Sequence, residues 1–80
     1  MSMLDLAFQL SNLELADHHI EQARRQVLEA SERVLEREWA GEEAVESRQT
    51  LKTVGESLAA FEAHRAVIVQ TIRLIREGKL

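Results

Sequence analysis

Cysteine, proline and tyrosine are absent from this chain of 80 residues, and glycine occurs only three times. Without cysteine there is neither a disulfide framework nor a thiolate zinc site. Without proline, and with so little glycine, the chain lacks the punctuation of a many-turned β fold. Aromatic residues make up 4 %, so any core is aliphatic. The length allows one domain, residues 1–80, and a single core of that size supplies about 3–5 kcal/mol unaided. What is present, 45 % hydrophobic and 30 % charged residues, is the profile of a globular α-helical chain.

The net charge of −4 is unevenly spread. Residues 1–27 carry −2, residues 28–46 carry −5, residues 47–62 are neutral and residues 63–80 carry +3. An acidic total argues against binding nucleic acid by bulk electrostatics, which needs a clustered positive face. The N-terminal residues lack the basic start and the small-residue cleavage site of a signal peptide. The longest uncharged run towards the C-terminus, Ala66 to Ile72, is far short of the roughly 20 residues that span a bilayer. The expectation is a cytoplasmic protein with no membrane segment.

Only Trp39-Ala40-Gly41-Glu42-Glu43 reads as an internal turn. A glycine after a long periodic segment ends a helix in a left-handed residue, and two carboxylates then suit the positive N-terminus of the next. The pattern predicts a first helix over about 3–39, a turn at 40–42 and a second helix over about 43–77, ended by Gly78 near Arg76. Gly55 falls inside the second helix, either tolerated at about 1 kcal/mol against alanine or serving as a close-packing point. Ser2 with Asp5 and Ser11 with Glu14 both fit a capping box, so a kink at Ser11-Asn12 competes with one continuous first helix. The apolar spacing runs through without a phase change, which favours the continuous helix. Trp39, beside the turn, is expected to cap the hairpin end.

Leu6, Leu13, Ile20, Val27 and Val34 recur every seven residues, with Ala16, Ala23 and Ala30 three further on. This is a heptad seam with small residues at d. Leu51, Leu58, Arg65 and Ile72 form one series in the second helix, with Val54, Phe61, Ile68 and Ile75 three further on. Folding about Ala40-Gly41 opposes residues whose numbers total about 81, and that register sets Ala30 against Leu51, Ala23 against Leu58 and Ala16 against Arg65. Alanines meet large partners in these layers, which lets the helices approach at even density. The expected fold is all-α: two long antiparallel helices in a coiled-coil-like hairpin. Its core comprises Leu13, Ile20, Ala23, Val27 and Ala30 with Leu51, Val54, Leu58, Phe61 and Ile68. Arg24 with Glu62 and Arg48 with Glu38 are expected to flank it as ion pairs.

One seam leaves half of each helix wet, and apolar residues lie beyond it. Leu4, Phe8, Leu10 and Leu15 on the first helix, with Val67, Val69 and Leu74 on the second, are the expected oligomer interface. Leu28 and Leu35 mark a narrower stripe nearer the turn. A monomer rarely exposes so much apolar surface. The expected assembly is a homodimer forming a four-helix bundle, with a helix of a protein partner as the alternative occupant.

His19, His64 and Asp17 are candidate metal ligands, since imidazoles and a carboxylate suit zinc. The bundle di-iron spacing of Glu-x-x-His is absent, however, and a surface histidine pair is the ordinary outcome. Arg65 occupies a core-type position, where it must be paired by Asp17 or Glu62 or reach water along its stem, and it reads as a register and oligomer-specificity residue. No Gly-rich phosphate loop or serine elbow occurs, so neither an enzyme nor a cofactor is expected.

The stretches Leu15-Ala16-Asp17-His18-His19-Ile20 and Ser57-Leu58-Ala59-Ala60-Phe61-Glu62-Ala63-His64-Arg65, with a Gly-containing turn between them, resemble a group of very small, uncharacterised bacterial helical-hairpin proteins. The resemblance covers about residues 13–72 and implies the hairpin, with no activity to carry over. Trp39-Ala40 before the turn glycine and the apolar N-terminal extension depart from that pattern. The functional expectation is a non-enzymatic helical protein–protein interaction or oligomerisation module. The alternatives are a small nucleic-acid-associated bundle using Arg24, Arg25, Arg65, Arg73, Arg76 and Lys79, or a helical chaperone or adaptor.

Overall fold

The structure is a computed structural model that describes residues 3–80, with side chains from Asp5 onward. Two helices, α1 (Met3–Trp39) and α2 (Val45–Arg76), pack against each other as a hairpin, and there are no strands among the described residues. The hairpin is a rod with principal extents of 58 × 16 × 13 Å and a radius of gyration of 17.9 Å. A compact domain of this length would have a radius of gyration of about 12 Å. Helix α1 is continuous through Ser11-Asn12, because the unbroken seven-residue spacing gives the chain one buried stripe and no reason to change direction. The Ser2 cap lies outside the described residues.

Both helices end in the same way. Gly41 adopts φ of 75° and Gly78 φ of 71°, a left-handed conformation in which a side chain would be strained. Beyond Gly41, the Glu42 N–H donates to the Arg37 carbonyl at 2.9 Å, while the Gly41 N–H donates to that of Glu38 at 3.0 Å. At the C-terminus, Lys79 donates to Leu74 at 2.8 Å and Gly78 to Ile75 at 3.0 Å. These are two Schellman closures, each satisfying carbonyls that a helix end leaves free.

Helix α2 begins at Val45, two residues later than the expected start at 43. The chain must first cross from one helix axis to the other, and Glu42, Glu43 and Ala44 make that crossing. Ala44 is only 1 % exposed and plugs the closed end of the hairpin without making a side-chain cap. Trp39, expected in that place, is 93 % exposed. It sits at the outermost position of the heptad, so its ring points away from the seam and a smaller residue fills the end.

The seam itself follows the expected register. Ala16, Ile20, Ala23, Ala30 and Val34 are buried on α1, and Ile68 and Ile72 on α2. Leu6 and Leu13 pack against the cluster of Ala16, Ile68 and Ile72. Leu13, Val27, Leu51, Val54 and Leu58 are only half-buried. Phe61 departs from its expected core role, with 36 % of its surface exposed. Alanines disappear between two helices, and Ile20, Val34, Ile68 and Ile72 are buried with them, but the half-buried side chains and Phe61 reach past the contact line and emerge at its edges. Two helices alone cannot enclose them.

Candidate functional site

The heptad gives the rod two side faces. On one side, positions e and b of both helices adjoin. Asp17, Glu21, Arg24, Glu62, Arg65 and Ala66 share an open groove there. Arg65 leaves its seam position, and its Nε donates to Oδ1 of Asp17 across the helices, with both side chains about half exposed. Glu38 and Arg48 pair at 3.4 Å further along the same side. Arg24 and Glu62 line the groove without closing the expected ion pair. Such exposed pairs contribute about 0–1 kcal/mol each, so they select the antiparallel register more than they stabilise it.

The other side is made from positions g and c. His19 lies over Phe61 there, with ring centroids 5.4 Å apart and planes tilted by 41°. Asp17 and His19 therefore lie on opposite sides of the seam, and the candidate ligand set of His19, His64 and Asp17 is not assembled. Positions e and g diverge from the contact line in opposite directions, so residues only two apart in sequence are separated by the partner helix. Among the described residues no group of three or more His, Cys, Asp or Glu is placed to hold a metal ion, and no polar or charged side chain is buried.

The expected oligomer interface divides between the same two sides. Phe8, Leu15, Val67 and Leu74 belong to the g/c side, whereas Leu10 and Val69 belong to the e/b side. Phe8 is 64 % exposed, and Leu15 and Val67 are each more than half exposed. Val69 and Leu74 are half-buried against the hairpin, and the side chain of Leu4 lies outside those described. Nearer the turn, Leu28 and Leu35 are exposed on the e/b side, and Leu35 shares a shallow groove with Glu36, Glu38 and Trp39. Sequence reasoning grouped the apolar residues by their distance from the chain ends. The angular position of each about its helix is the signal that separates them.

No helix among the described residues is long and apolar enough to cross a membrane. Compared with known proteins, the chain matches no family model, no curated protein and no solved structure. The resemblance to small bacterial hairpins thus rests on the quoted residues alone.

Proposed function

We propose that the protein is a non-enzymatic oligomerisation and protein–protein interaction module, in which a hairpin gains its stability by pairing with a second copy into a four-helix bundle. The carrying observation is its surface. The single chain exposes 6071 Å², where a folded monomer of 9.1 kDa would expose about 4,900 Å². The excess, about 1,200 Å², exceeds the roughly 800 Å² that each partner contributes to a standard interface and enters the range of obligate dimers. Val54, half-buried, and Phe61, 36 % exposed, fit the same reading, because a second layer would complete their burial.

The bundle would keep its charged side turned outward towards any further protein partner. Nucleic acid fits that side poorly. On that side Arg48 and Arg65 pair with Glu38 and Asp17, and Glu14, Glu21 and Glu62 interleave with its other Arg and Lys residues, so its positive charge is broken up rather than presented as the clustered basic face that a phosphate backbone needs.

Folding coupled to association makes thermal stability depend on protein concentration. Melting followed by circular dichroism from about 1 to 100 µM should show a midpoint that rises with concentration. A midpoint that stays constant across that range would refute the proposal.

A further inference from the structure

We infer that the second copy docks on the g/c side face, centred near Ala60 and His64, through a two-fold axis that sets this face against itself. The inference rests on the proposed homo-oligomer and adds which surface forms it. The first observation is a local absence of charge. On α1 the side-face positions from Phe8 onward are Phe8, Asn12, Leu15, His19, Gln22 and Gln26; on α2 the eight positions from Thr50 to Leu74 hold only Thr, Ser, Ala, His, Val and Leu. The chain is 30 % charged, so about four charges would fall on these positions at the average frequency, and depletion of charge marks the centre of an interface. Charged residues resume at Glu29 and Arg33, where a polar rim belongs. The opposite side, over the same length, carries Glu14, Asp17, Glu21, Arg24, Lys52, Glu62 and Arg73.

The second observation concerns the hydroxyls on this face. Thr50 donates to the carbonyl of Glu46 at 3.1 Å, Ser57 to that of Thr53 at 3.2 Å and Thr71 to that of Val67 at 2.9 Å. Of the four hydroxyls on this face, these three donors are already satisfied by their own helix, so covering them strands no hydrogen bond. The face therefore behaves as a more apolar surface than its composition suggests, and Phe8, Leu15 and Val67 stand exposed on it.

The choice of a second copy follows from symmetry. Residues near a two-fold axis meet their own counterparts, so a charge would oppose itself, whereas an amide, a hydroxyl or a methyl group is compatible with its own kind. Along α1 the uncharged stretch from residue 8 to residue 26 runs roughly 28 Å at about 1.5 Å per residue. That is enough length for a four-helix layer over the terminal half of the rod, with the acidic turn end projecting from it.

Ala59 and Ala60 make the test sharp, because these adjacent, exposed alanines lie on opposite side faces. Wild type, Ala59→Lys and Ala60→Lys would be compared by light scattering after size exclusion, with helicity followed by circular dichroism. The expected result is a dimer for wild type and Ala59→Lys, with at least a tenfold weaker association for Ala60→Lys. Loss of helicity in Ala60→Lys alone would also support the inference, since Ala60 is exposed in the single hairpin and only a docked copy could oppose the lysine. Equal dimerisation by both variants, or dissociation of Ala59→Lys alone, would overturn the choice of face while leaving the homo-oligomer standing. A monomeric wild type would instead remove the homo-oligomer itself.

Discussion

Single residues in this hairpin are sorted by their angle to the seam more than by their chemistry. Gly55 lies within α2, and a methyl group added there would meet nothing within 4 Å, which removes the close-packing reading and leaves only its helix cost. Gly55→Ala should therefore stabilise the protein by about 1 kcal/mol, raising the melting midpoint by about 4–8 °C. Ala44 is the opposite case, a small side chain at 1 % exposure in the closed end. Ala44→Leu should cost about 1–3 kcal/mol in chemical denaturation, through overpacking. Trp39, despite its size, should be replaceable by alanine within about 0.5 kcal/mol, and its fluorescence should be readily quenched by acrylamide.

The elements were largely legible in the sequence, because a seven-residue period survives translation into structure directly. It placed both helices, and cross-helix neighbours such as Asp17 with Arg65 and His19 with Phe61 fall within one residue of the expected register. The turn was legible through Gly41, the residue that can take φ of 75° without strain. Gly41→Ala should cost about 1–2 kcal/mol by placing a Cβ in the left-handed region, measurable as a lower denaturation midpoint with α1 and α2 otherwise intact.

The late start of α2 was not legible, since Glu42, Glu43 and Ala44 carry no turn signature of their own. One further step back along the Leu51 and Leu58 series reaches Ala44 and would have found it. The candidate metal set failed for a related reason. Proximity along the sequence and in register brought Asp17 and His19 together on paper, but the two positions diverge to opposite sides of the seam. Which apolar residues share a surface is likewise a matter of angle, and the distance of Phe8 or Leu10 from the chain end does not reveal it.

At the scale of the whole molecule, the same rod shape explains both the weakness and the use of the fold. A hairpin with one seam buries its alanines and a few larger residues such as Ile20, Val34, Ile68 and Ile72 but leaves Leu13, Val27, Leu51, Val54 and Leu58 half-covered, and its exposed area exceeds that of a compact chain of equal mass. A second hairpin on the uncharged side would cover that excess and leave the ion-paired side facing water. The most direct measurement is the mass in solution by sedimentation equilibrium at micromolar concentration. The account expects a species of twice the 9.1 kDa chain mass; a single, fully helical species of 9.1 kDa at that concentration would contradict it.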